Sequence, residues 1–403
     1  MRAAFALLLL VAVASNSLAA DRWKFGDRIA IGHGPKTGLF HHLDGAGRKH
    51  LAVSGHTVAV IWEDNHSGDP QVYVAVQTGR SQPFSMPMLV STGTEAYEPS
   101  IAALGDDRFA LAWEQDGEIY TRQLNNGVLL GVSRFSVARG SHVCLAAYGG
   151  RAFAAWRERR DGQWFVPVAE LREISDGEFT TKRITTVESA GLQSPVQFPS
   201  ITVNEAGISV AWEDRRSGHT RLLVSHAPDA NSEFGAIQNL NEFFSERNEY
   251  DKGSGVTRVS SASFGEDEIV AAWMDKRRGG VGYGIFAALG AEGGEFFGPN
   301  EKVHGEQGDK LPHYNPATAG NLAGDFIVAW DDFRHGNSDI WLSNYSNDLE
   351  WSEDYSPEVA SGPGEQSHPS VVLGDAGDLH LLWIERADPN APSRLWYAHG
   401  VAR

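Results

Sequence analysis

Trp212-Glu213-Asp214-Arg215-Arg216-Ser217-Gly218 closes the short apolar run Ile208-Ser209-Val210-Ala211. The same phrase, Trp-x-Asp/Glu-x-Arg/His-x-Gly, returns at Trp62–Gly68, Trp156–Gly162, Trp273–Gly279 and Trp330–Gly336. Trp113 and Trp383 keep parts of it, so seven Trp-headed units follow one another at spacings of 51, 43, 56, 61, 57 and 53 residues. A phrase that recurs at this interval marks one supersecondary element repeated along the chain.

The unit around Trp212 reads as strands only. Pro199–Val203 alternates as a first strand, 204–207 is a turn, Ile208–Trp212 is a second strand, Arg221–Ser225 a third, and a fourth lies near Phe234–Leu240. Second strands such as Phe109–Trp113, Ile269–Trp273 and Phe326–Trp330 are apolar on both faces. A strand of that kind must be covered on both sides, and a blade packed between two other blades meets the need. The last unit lacks a fourth strand, whereas Trp23-Lys24-Phe25-Gly26-Asp27-Arg28-Ile29-Ala30 resembles the fourth strands elsewhere. The expected fold is therefore all-β, a seven-bladed β-propeller of four-stranded antiparallel blades closed by the N-terminal strand. The short spacing before Trp156 leaves open whether that blade is complete.

Arg2, the apolar run Ala3–Ala14 and the small residues Ser17-Leu18-Ala19-Ala20 read as a secretory signal peptide, 1–20, followed by a single propeller domain, 21–403. A secreted or periplasmic location is expected. The apolar run is shorter than the ~20 residues a membrane span needs. With Cys144 alone, no internal disulfide is available. A net charge of −18 argues against nucleic acid and anionic membranes as partners.

The phrase Pro-Ser-Ile followed by Val-Ala-Trp-Glu-Asp-Arg-Arg-Ser-Gly and an aromatic-rich third strand resembles the bacterial neuraminidase-type (BNR, sialidase-like) repeat propellers over nearly the whole mature chain. The resemblance implies the fold. For activity it implies an Arg triad on a substrate carboxylate, a Tyr nucleophile backed by Glu, and an Asp acid/base. The chain departs from that pattern. The family's early Arg-Ile-Pro reads Arg28-Ile29-Ala30, and the nearest remnant of an Asp box is Ser346-Asn347-Asp348-Leu349-Glu350-Trp351. Sialidases of the family also usually carry six blades.

The repeated acids Asp64, Glu158, Asp214, Asp275, Asp332 and Glu385 are expected to brace their own loops, because near-identical copies serve a scaffold better than a catalyst. Function is sought in what is not repeated, on the face where each first strand begins and each second strand ends. Candidate ligand-binding residues there are His50, Tyr97, Glu98 and Phe198, with Arg258, Tyr314, Asn315 and His368. If the protein is an enzyme, Arg258, Tyr250, Tyr314 and His368 are the catalytic candidates. No metal-ligand phrase is present, so neither metal nor cofactor is expected. The leading reading is a propeller that binds a glycan at the channel mouth. The alternatives are a glycan-active enzyme, either a sialidase-like glycoside hydrolase or a polysaccharide lyase, and a protein-interaction scaffold.

Overall fold

The computed structural model describes residues 22–34, 36–43, 47–80, 82–93, 95–131, 136–174, 177–187, 191–242, 255–277, 282–345 and 350–403. They form seven small antiparallel sheets arranged as the blades of a propeller. Blade 4 shows the plan: Val196–Asn204 innermost, then Gly207–Asp214, Arg221–Ala227 and Gln238–Asn239 at the rim. The blade around Trp156 is complete, with Ser141–Tyr148, Arg151–Arg160, Pro167–Glu173 and Phe179–Thr186 in order. Its second strand runs on into a hairpin with Gln163–Phe165. Blade 6 departs from the four-strand plan. Beyond Asp339–Asn344, its outer position is held by the isolated bridges Leu342↔Tyr355 and Tyr345↔Trp351.

Blade 7 is closed from the other end of the chain. Trp23–Phe25 and Ile29–Ile31 both pair with Arg394–Ala402, in the registers Trp23↔Ala402 and Ile29↔Tyr397. This covers the strand edge that the C-terminal unit would otherwise expose.

The core is divided rather than central. Seven apolar clusters each join two neighbouring blades, and each contains one of the seven repeat tryptophans. Trp212, for example, packs with Phe153 and Val168 of blade 3. Trp62 packs with Leu382 and Tyr397 of blade 7, which closes the circle. Six of these indoles are fully buried and Trp156 is 2 % exposed, so each contact depends on a large ring whose removal costs about 3–5 kcal/mol.

Serines near the starts of the inner strands, two of them in the Pro-Ser-Ile phrase, stitch those strands together. Ser100 Oγ accepts from Leu145 N (3.1 Å), Ser200 Oγ from Ser261 N (3.1 Å), Ser260 Oγ from Thr318 N (3.2 Å) and Ser370 Oγ from His50 N (3.3 Å). Each bond crosses a blade boundary and satisfies an inner-strand donor that has no partner within its own sheet.

Candidate functional site

The inner strands do not start cleanly. Each of the six from blade 2 to blade 7 carries a register shift at its start, between Tyr97 and Ser100, Ser141 and Cys144, Gln197 and Ser200, Thr257 and Ser260, Tyr314 and Ala317, and Ser367 and Ser370. At each bulge one non-glycine residue sits in the left-handed region: Glu98 (φ 50°), His142 (56°), Phe198 (46°), Arg258 (60°), Asn315 (51°) and His368 (55°). Such backbone costs about 1–2 kcal/mol for residues with a Cβ and is retained where the surroundings enforce it. The expected first strands began after these residues. The structure places them inside the strands, at the bulge, because the extra residue shifts the alternation that the sequence displays.

At four of the six, the residue after a tryptophan accepts from the backbone N–H of the bulged residue. Successive strand residues point to opposite faces, so when Trp212 faces blade 3, Glu213 faces blade 5. There its Oε1 accepts from Arg258 N (2.7 Å) and from Thr257 Oγ1 (2.6 Å). Glu63 accepts from Glu98 N (3.1 Å), Glu114 from His142 N, and Asp331 Oδ1 from His368 N (2.8 Å) while its Oδ2 accepts from Asn315 Nδ2 (2.7 Å). Blade 3 has Arg157 at this position, and His142 Nδ1 takes over, accepting from Phe198 N at 3.1 Å. These acids were missed in the sequence because they occupy the variable place of the phrase. The signal was the alternation itself, which sets them opposite the tryptophans.

Asp64, Asp214, Asp275 and Asp332, two residues after their tryptophans, do brace their own loops, as Glu158 does through Arg160. Asp275 accepts from Trp273 Nε1 (3.0 Å), Arg277 N (2.7 Å) and Arg277 Nε (2.9 Å). Asp332 does the same with Trp330 and Arg334, and His313 and Arg334 hold its carboxyl well below the usual range despite burial. Glu385 is paired with Arg28, whose guanidinium lies over Trp396 at 4.3 Å. Arg28 thus serves the closing strand.

One stretch of the bulge ring gathers unusual charge. Arg48, with a side chain 1 % exposed, reaches both Glu98 and Glu114, the latter at 3.4 Å. Burial pushes the Glu114 carboxyl up to about 8; Arg48 opposes the shift and Glu98, hydrogen-bonded to Glu114, adds to it. Arg157 stands near the same pair, its guanidinium pKa lowered by desolvation and partly restored by Glu114 and Glu98. The cluster continues through His142, stacked on Phe198 (4.4 Å between ring centres), to Arg258, which lies 4.1 Å over the Phe198 ring. One arc of the ring therefore carries a proton-holding carboxyl pair, three guanidinium groups and an imidazole. Opposite it in the sequence order, burial also raises Asp331 to about 8.

The candidates named from sequence fall into three groups. Glu98, Phe198 and Arg258 are brought together on that arc, and Asn315 and His368 meet at Asp331. Two assignments change. His50 is buried in the wall, its Nδ1 3.3 Å from Ile61 O, so it is withdrawn from the ligand-facing set. Phe198, a ligand-binding candidate, does not present a bare ring, because His142 and Arg258 cover it. Tyr97 donates its hydroxyl to Glu95 (2.6 Å), which raises its pKa to about 12. Tyr314 packs edge-on against Tyr283 and Phe333. Tyr250 lies outside the described residues, as do 346–349 of the Asp-box remnant.

Below the ring a hollow of about 220 Å³ lies between the inner strands, and Lys49 lines it, donating to Thr318 O at 2.7 Å; burial lowers its ammonium to about 8. A larger hollow of about 1150 Å³ opens at the far end, framed by hairpin residues such as Gly55, Gly105, Gly149 and Gly374. Volume alone would favour the far end. The buried charge and strained backbone favour the bulge ring as the candidate active site.

No family model matches the chain, and no curated protein does. Solved structures match its fold. A protein of unknown function from Dyadobacter fermentans is 12% identical, with a TM-score of 0.55 over 95% of this chain and 100% of that one. An alpha-L-arabinofuranosidase from Fusarium graminearum is 10% identical, with a TM-score of 0.52 over 94% and 98%. The polysaccharide lyase Uly1 is 9% identical, with a TM-score of 0.55 over 88% and 90%. At these identities the likeness establishes a shared propeller fold.

Proposed function

We propose that this protein is a glycan-active enzyme that works on the bulge-ring face. The observation that carries the reading is the Arg48–Glu98–Glu114 cluster, in which one carboxyl keeps its proton up to about pH 8. A carboxylic acid that is still protonated at neutral pH can deliver that proton to a glycosidic oxygen. Glu114 holds the proton and is hydrogen-bonded to Glu98, the more exposed of the two and the member placed to meet a substrate. Arg48, against both carboxyls, stabilises the second negative charge that forms when the proton leaves. Arg258 and His368, held by their bulges, offer hydrogen-bonding groups around the same mouth. That an alpha-L-arabinofuranosidase and a polysaccharide lyase share this fold supports a carbohydrate substrate. The leader-like residues 1–20 support action outside the cytoplasm.

The test is a turnover screen with purified protein on neutral glycosides, sialosides and uronate polymers, repeated with Glu98→Gln and Glu114→Gln. Release of reducing ends by the wild type, with kcat reduced about 10²–10⁴-fold in Glu98→Gln and KM little changed, is the expected result. An active protein indifferent to both substitutions would remove the cluster from the mechanism. Binding of a glycan without turnover would return the protein to the class of glycan-binding propellers.

A further inference from the structure

We propose that Asp378, His380 and His399 form a binding site for a divalent cation of the zinc class, on the face opposite the carboxyl cluster. The sheet of blade 7 assembles the site. Asp378 immediately precedes Leu379–Arg386 and His380 lies in it, so their i, i+2 spacing turns both to one face. His399 is the direct register partner of His380 on the adjacent strand, Arg394–Ala402, which brings its imidazole beside the other two. Nε2 of His399 is 2.9 Å and Nε2 of His380 3.4 Å from the same Asp378 Oδ2, and all three donor atoms lie within 4.8 Å of one another.

Two imidazoles and one carboxylate suit zinc and its neighbours, whereas magnesium and calcium require oxygen-rich shells. In a tetrahedral zinc site with bonds of about 2.0–2.1 Å, donor atoms stand about 3.3–3.4 Å apart. The His380 contact already has that spacing, and the His399 contact opens by about 0.4 Å to reach it. His380 is oriented from behind, because its Nδ1 lies 2.7 Å from the Tyr397 hydroxyl and Nε2 is therefore the nitrogen that faces Asp378. A ligating histidine is commonly held this way through its second nitrogen. All three residues line the hollow of about 1150 Å³, so a bound ion has room for water or an exogenous ligand as its fourth partner.

One group competes. Arg80, with a side chain 70 % exposed, donates to Asp378 Oδ2 at 2.8 Å from blade 1. A cation would displace it toward solvent, which its exposure permits. The competition makes the proposal specific, since removing Arg80 frees a carboxylate oxygen and lowers the local positive charge without touching a ligand.

The test is calorimetric titration of chelator-treated protein with zinc chloride near pH 7, with magnesium and calcium chloride as controls. The expected result is one equivalent of zinc at micromolar affinity or tighter, with neither control bound. Affinity should fall at least 100-fold in His399→Ala, fall about tenfold in Tyr397→Phe, and rise severalfold in Arg80→Ala. Cobalt(II) should give a visible absorption band that His399→Ala abolishes. Because His399 is only partly buried, its substitution tests the site without emptying the core. Absence of zinc binding in both the wild type and Arg80→Ala, or binding that His399→Ala leaves unchanged, would overturn the proposal.

Discussion

The backbone N–H of Arg258 donates to Glu213 Oε1 at 2.7 Å across the boundary between blades 4 and 5, while Arg258 itself is held at φ 60°. One bond thus fastens two blades and fixes an arginine in a backbone conformation it would not choose. Removing the side chain separates the two effects. Arg258→Ala keeps a Cβ in the left-handed region, whereas Arg258→Gly does not. Both lose the contact with Phe198. The glycine variant is expected to be more stable than the alanine variant by about 1 kcal/mol in urea unfolding, and both should lose ligand affinity or turnover alike. Equal stability of the two would show that the bulge carries no strain at this position.

Asp331 gives the ring a pH dependence. Its carboxyl is pushed up to about 8, chiefly by burial, although Asn315 and the His368 N–H favour the charged form. The unfolded chain releases this proton near pH 4 and the folded chain keeps it until about pH 8. Between those values the native state binds the extra proton, so its stability falls as pH rises through the window and levels off above it. Asp331→Asn keeps acceptor capacity for His368 N and cannot ionise. Its urea midpoint should therefore fall less than that of the wild type between pH 5 and 8, leaving the variant more stable at pH 8 by on the order of 1 kcal/mol. Parallel curves for the two proteins would refute the assignment.

Much of this molecule can be read from its sequence. The Trp-headed phrase reveals the blades because the indole fills each blade-to-blade contact and cannot drift without opening a void, so a tryptophan stands in every unit even where the rest of the phrase is lost. The N-terminal strand was legible for a similar reason, since Trp23 is buried at 1 % and Phe25 packs beside it. The site was only half legible. Glu98, Phe198, Arg258, Asn315 and His368 were legible from their place at the approaches to the first strands, but their bulged backbone was not, because two residues opposing one leave no mark in a linear pattern. The acids Glu63, Glu114, Glu213 and Asp331 share their place with Arg157, Met274 and Ile384, and so looked like variation. His380 and His399 meet only through strand register, which no spacing reveals.

The repeated loop acids differ in what they support, and their loss should differ with it. Asp275 holds Trp273 and Arg277, and the Arg277 side chain is only 9 % exposed. Asp214 holds Arg216, whose side chain is 40 % exposed. Asp275→Ala takes the closest carboxylate from a buried guanidinium that still contacts Asn300 and Glu242, leaves the Trp273 indole N–H without its acceptor, and should cost about 3 kcal/mol. Asp214→Ala leaves an arginine that water can reach and should cost about 1 kcal/mol. Chemical denaturation of the two variants measures the difference. If Asp214→Ala proved the more damaging, the loops would be held by something other than these pairs.

Ring closure makes the first described residues as important as any core strand. Trp23 donates its indole N–H to Gly377 O at 2.7 Å and packs with Leu373, Leu379 and Ala398 of blade 7. Its loss removes a buried ring and also unfastens the short strand that covers Arg394–Ala402. Trp23→Ala should destabilise the protein by about 3–5 kcal/mol. Because the uncovered edge of blade 7 would present unpaired backbone donors and acceptors, the variant should also form dimers or larger species on size-exclusion chromatography at concentrations where the wild type elutes unchanged. Trp23→Phe keeps most of the packing but lacks the donor to Gly377, and is expected to lose only about 1–2 kcal/mol and to leave the elution profile unaltered. Association of Trp23→Phe equal to that of Trp23→Ala would assign closure to the single hydrogen bond; association of neither would mean that Ile29–Ile31 seals the ring without help.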